Sequence, residues 1–123
     1  MRRLILFRHA KAERPEGYDD DHDRPLTEDG KAAALGMGEW MDGQGIAPDL
    51  VLCSTSVRTR ETWAMAARAF DPLPPVIYEE LIYEALPETL LQVVNSVDSD
   101  VQTLLLVGHN PGIEALTDRK SVV

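Results

Sequence analysis

The chain has 123 residues, 44% of them hydrophobic, with 21 acidic against 12 basic side chains and a net charge of −9. That length buries one core, so a single domain is expected, and the acidic balance argues against a general nucleic-acid-binding face. The longest apolar stretches, Leu4 to Phe7 and Leu104 to Val107, are too short to span a bilayer, the start lacks a signal-peptide pattern, and the lone Cys53 cannot form an internal disulfide; a cytoplasmic protein is the default expectation.

Residues 3 to 7 predict a buried strand, since Leu4, Ile5, Leu6 and Phe7 are continuously apolar. The polar, turn-rich AKAERPEGYDDDHDRP that follows predicts a loop. Within it DDDHD, residues 19 to 23, fails the calcium-loop test, because Arg24 stands where that loop needs glycine and Gly30 where it needs glutamate. A solvated acidic loop is the expectation there. Thr27 is placed to cap a helix running to about Met41, with Ala33, Met37, Trp40 and Met41 on one stripe, and Gly43 and Gly45 end it.

PDLVLCS predicts a second buried strand, and SVRTRETWAMAARAF a second helix with Trp63, Ala66, Ala67 and Phe70 on one face. Asp71 and Pro72 stop it. PPVIY is a short third strand, followed by a helix starting near Pro87 and Glu88. VQTLLLVGHNPG repeats the opening pattern, an apolar strand breaking into a polar tip, with a helix expected from Gly112. Strands alternating with helices predict an α/β domain: a mostly parallel sheet between two helical layers, which binds ligands outside the carboxyl ends of its strands.

Three polar clusters fall at those ends: Arg8 and His9, Ser54 to Arg58, and Gly108 to Asn110. Brought together by a parallel sheet, two histidines and two arginines make a phosphate site containing a nucleophile. An imidazole attacks phosphorus only when neutral, and Arg8 and Arg58 nearby would lower its pKa from the reference of about 6.5. One ring nitrogen must be held as a donor, with a backbone carbonyl the natural acceptor, so that the other presents its lone pair. Guanidinium forks match phosphoryl oxygens. Arg60 is the rival of Arg58, but two residues further around the helix it points elsewhere.

FRHAKAE, DHDRPLTEDGKAAA, CSTSVRTRETW and VGHNPGIE, in that order and at suitable spacing, resemble successive blocks of the histidine phosphatase superfamily, the phosphoglycerate-mutase-like group, and most closely its SixA-type phosphohistidine phosphatase branch. The resemblance implies a phosphoglycerate-mutase-like three-layer fold over residues 1–117 and a ping-pong hydrolysis without metal or cofactor. In it His9 takes the phosphoryl group, while Arg8, Arg58 and His109 line the phosphate pocket, with His109 protonated or donating to a phosphoryl oxygen. Asn110 is a further donor by the same resemblance, and Arg24 shapes the pocket rim.

Larger relatives that cleave esters use a carboxylic acid to protonate the leaving alkoxide, and Glu84 in LIYEALPE is the nearest, loosely aligned candidate. An imidazole leaving group is far less basic and leaves protonated, which favours a phosphohistidine substrate on a phosphotransfer or phosphocarrier protein. A small phosphorylated molecule with Glu84 as acid, and a catalytically silent phosphate- or phosphoprotein-binding fragment, are the alternatives. No membrane or nucleic-acid partner is expected.

Cys53 does not fit a cysteine-dependent phosphatase loop, which needs five residues before its arginine where four separate Cys53 from Arg58 and six from Arg60. A core cysteine is expected, and core positions for Trp40 and Trp63. The last six residues, DRKSVV, are what the sequencing-adapter stretch GATCGGAAGAGCGTCGTG encodes. A non-native tail over 118–123 is therefore expected, with the family's last helix and strand missing.

Overall fold

The computed structural model describes residues 3–110 and 112–117, so the expected tail lies outside the described residues. Four strands, β1 (Arg3–Arg8), β2 (Leu50–Cys53), β3 (Val76–Tyr78) and β4 (Thr103–Gly108), are all parallel and lie in the order β1-β4-β2-β3. Between and after them come α1 (Glu28–Gly43), α2 (Val57–Ala67), α3 (Pro87–Asn95) and α4 (Gly112–Thr117). No helix among the described residues is long and apolar enough to cross a membrane.

The continuous apolar runs in the strands follow from burial on both faces. Leu4, Leu52, Leu104 and Leu106 pack on Leu90, Val93 and Val94 of α3 and on Ile113 and Leu116 of α4. Their neighbours Ile5, Val51, Cys53, Leu105 and Val107 point the other way, onto Met41 of α1, Trp63 and Ala66 of α2, and Phe70. The result is the three-layer α/β/α arrangement expected from the sequence. Arg8 lies opposite Gly108, and Cys53 opposite Val107, so β1, β2 and β4 end at nearly one level. Residues just past those ends therefore meet.

The helix capped by Thr27 forms as expected, the Thr27 hydroxyl accepting from Gly30 N at 2.9 Å. Its buried stripe is not the expected one. Gly30, Ala34, Gly38 and Met41 face inward, whereas Ala33 is exposed and Met37 and Trp40 are 45% and 54% exposed. The reason is how closely α1 crosses α2. A Cβ on Gly38 would sit 2.7 Å from Ala66 Cα and overlap its carbonyl oxygen, so this contact requires the smallest residues. Trp40 is thus displaced from the core, while Trp63 is buried and stacks on Phe70 with centroids 5.9 Å apart.

Candidate active site

His9 stands immediately beyond β1 and continues its ladder, with its N–H donating to Gly108 O at 3.0 Å. Its Nδ1 lies 2.7 Å from Ala10 O, which holds that nitrogen as a donor and, among the described residues, leaves the Nε2 lone pair without a partner. The next residue is tied down as well. Ala10 N donates to Thr62 Oγ1 at 3.0 Å, and the Thr62 hydroxyl donates to Arg58 O at 2.7 Å, so the His9 turn is fastened to the start of α2. Burial lowers the His9 pKa from 6.5; the bond to Ala10 opposes this, and Arg58, Arg8 and Arg24 reinforce it. The ring is held neutral.

Ser56 caps α2, and Arg58 follows in its first turn with its side chain only 4% exposed. Its NH1 donates to Asp21 O at 2.8 Å and its NH2 to Asp21 Oδ2 at 2.9 Å, while its buried Nε has no partner among the described residues. The acidic stretch is therefore more than a solvated loop. Its 3₁₀ turn, Asp21–Asp23, folds inward, and the Asp21 carboxylate also accepts from Arg24 Nε at 2.8 Å and from the Tyr83 hydroxyl at 2.7 Å. The Tyr83 bond, with Arg58 and Arg24 adding to it and partial burial opposing it, brings the Asp21 pKa down to about 2. His22 Nε2 and Thr55 Oγ1, 2.9 Å apart, seat the same turn. Apart from Arg24, three residues on, the partners lie 33 to 62 residues away, so the sequence carries no local signal for them. Composition alone made this run look like solvent-facing charge.

His109, just past β4, is 5% exposed, and its ring centroid lies 5.3 Å from those of His9 and Tyr83. Its Nε2 is 2.8 Å from Ser54 Oγ, and its buried Nδ1 has no partner among the described residues. Burial first, then Arg58 and His9, push its pKa down to about 3. Of the two states expected for His109, the protonated one is thus disfavoured in this structure, because the ring is desolvated beside a buried guanidinium. Among the described residues the site holds two buried nitrogens without partners, Arg58 Nε and His109 Nδ1, on residues flanking a neutral imidazole.

On the open side of His9 lies a cavity of about 480 Å³ lined by Arg8, His9, Ala10, Lys11, Ala12 and Arg24. Arg8 is exposed there, and Arg24 is braced by Asp21 and by Glu13 O, to which its NH1 donates at 2.8 Å. His9 is common to this cationic mouth and to the buried polar cluster behind it.

The remaining candidates fall outside this convergence. Arg60 lies over the Tyr78 ring, 5.0 Å from its centroid. Asn110 is exposed, and its Oδ1 accepts from Glu114 N at 3.1 Å. Glu84 is exposed with φ of 50°, and among the described residues no hydrogen bond or ion pair joins it to His9, Arg58 or His109. Cys53 is fully buried in the core, and burial pushes its thiol up to about 12. Among the described residues no group of three or more histidine, cysteine or acidic side chains is placed to hold a metal ion.

Residues 4–85 match the model of the histidine phosphatase superfamily (branch 1). An uncharacterized protein of Mycobacterium tuberculosis is 43% identical over 110 residues, which are 89% of this chain and 66% of the relative, so the chain spans about two thirds of that relative's length. A structure from Agrobacterium tumefaciens, provisionally named the phosphohistidine phosphatase SixA, is 35% identical and superposes with a TM-score of 0.90 over 99% of this chain and 78% of that one. A second SixA structure, named with the same reservation and from Nakamurella multipartitia, is 40% identical with a TM-score of 0.82 over 94% of this chain and 63% of that one.

Proposed function

Because the chain belongs to the histidine phosphatase superfamily, we propose that it is a phosphatase that hydrolyses protein phosphohistidine through a phosphoryl group carried on His9. One observation carries the reading: His9 has its Nδ1 fixed on Ala10 O and a free Nε2 lone pair, beside two buried, unpartnered nitrogens on Arg58 and His109. Those nitrogens suit the oxygens of a transferring phosphoryl group, whose charge fixed donors stabilise without reorganisation. Arg8 and Arg24 at the mouth are suited to guiding the anion in.

In the first step His9 Nε2 bonds to phosphorus as the substrate's phosphorus–nitrogen bond breaks, and the departing imidazole takes up a proton. Water then attacks the phosphorus on His9, the phosphorus–Nε2 bond breaks, the water's proton passes to solvent, and inorganic phosphate leaves with the His9 imidazole restored. A phosphohistidine substrate is preferred to an ester because an imidazole is a far less basic leaving group than an alkoxide and does not need a positioned acid.

The test is to incubate the chain with a protein labelled by radioactive phosphate on histidine, and separately with small phosphate esters. Transient label on His9, its loss in His9→Ala, and faster turnover of the phosphohistidine protein are expected. Much faster ester turnover would overturn the substrate assignment, and a folded chain that takes up no label would point to a binding module.

A further inference from the structure

Ser54 takes no part in the chemistry described above, yet it is fully buried between β2 and α2 against His109. We propose that Ser54 is a positioning residue: its hydroxyl donates to His109 Nε2 and so fixes the tautomer in which His109 carries its proton on Nδ1, as a neutral donor for a bound phosphoryl oxygen.

Hydrogen-bond accounting carries the assignment. A 2.8 Å contact between a hydroxyl and an imidazole nitrogen can run either way. Ser54 Oγ already accepts from Ser56 N at 3.4 Å, and among the described residues His109 Nε2 is the only acceptor within reach of its proton. If His109 donated instead, the Ser54 O–H would be a buried donor with nowhere to go, and the buried His109 Nδ1 would be left as an unsatisfied acceptor. Two buried groups would then be unsatisfied, each costing about 1–3 kcal/mol. With Ser54 as the donor a single group is unpaired, His109 Nδ1–H, and an incoming phosphoryl oxygen satisfies it.

The backbone explains why Ser54 can be so exact a partner. Its N–H donates to Val107 O at 3.0 Å, two residues before His109 on the neighbouring strand, and its carbonyl accepts from the Thr59 hydroxyl at 2.9 Å. The serine is thereby held both to β4 and to the first turn of α2. A threonine keeps the hydroxyl, whereas alanine removes it and leaves the backbone bonds in place.

The inference rests on the phosphoryl-site reading for its catalytic consequence, but the tautomer is observable without any substrate. Nitrogen-15 correlation spectra of histidine-labelled protein at pH 7.5 are expected to show His109 with a protonated, pyrrole-type Nδ1 and a pyridine-type Nε2. Ser54→Ala should give a mixed tautomer and slow the labelling of His9 about tenfold, as loss of one hydrogen bond implies; Ser54→Thr should restore both.

A protonated Nε2 in the unaltered chain overturns the inference even if Ser54→Ala fails to fold. So does a Ser54→Ala protein, folded, with an unchanged His109 spectrum. No labelling of His9 in the unaltered chain, with the expected tautomer present, would instead count against the phosphatase reading alone.

Discussion

Asp21→Asn removes one charge and almost no volume, and it tests whether the inward-folded acidic turn stabilises the site. The Asp21 carboxyl drops from 3.8 to about 2 on folding, which at full strength is worth about 2.4 kcal/mol. Its side chain is 37% exposed, so solvent screening reduces that figure, and we take roughly 1 kcal/mol as the loss at pH 7. For a domain of this size the melting temperature falls by about 4 °C. The sign over pH follows from linkage: a carboxyl with a depressed folded pKa adds stability above its unfolded pKa and loses it as the folded form is protonated. The gap between Asp21→Asn and the unaltered chain should be full above pH 5 and close as pH falls from about 3.8 toward 2. Urea midpoints at several pH values measure it. Equal midpoints at pH 7, or a gap that persists undiminished at pH 2.5, would refute the account of Asp21 as an ionised clamp on Arg58 and Tyr83.

Gly38→Ala should destabilise the protein by about 1–3 kcal/mol, since its methyl must push α1 off the Ala66 backbone, while Gly36→Ala, with open space around it, should stabilise by up to about 1 kcal/mol. Thermal melts of the pair decide this, and matching shifts would contradict the close helix crossing. The lowered His9 pKa predicts that labelling of His9 declines on acidification with a midpoint below pH 6.5; a decline centred at or above 6.5 would contradict a desolvated imidazole as the nucleophile. Glu84→Gln should leave phosphohistidine turnover within about twofold, and a hundredfold loss would establish Glu84 as the general acid after all.

The layers and the convergence at the strand ends were legible because they depend on a run of apolar residues and on the parallel rule, both local in the sequence. Leu104 to Val107 followed by His109 carries that information by itself. The α1 stripe misled because large apolar residues usually mark the buried face, whereas here Gly30 and Gly38 do so by letting backbones approach. What Asp21 and Ser54 do was silent for a different reason. Their roles come from hydrogen bonds to Arg58, Tyr83 and His109, which only the folded chain brings within 3 Å.

His9 is pinned at three points: its N–H on Gly108, its ring on Ala10, and the following N–H on Thr62. Such a histidine cannot swing between two stations in the manner of a mobile carrier arm. Under the proposed function, a phosphorylated group would reach it from the cavity beside Arg8 and Arg24, and the transferred phosphoryl group would stay at that address. Water would then arrive where the first product has just left, so turnover would require the dephosphorylated partner to withdraw, and tight holding of that partner would slow it.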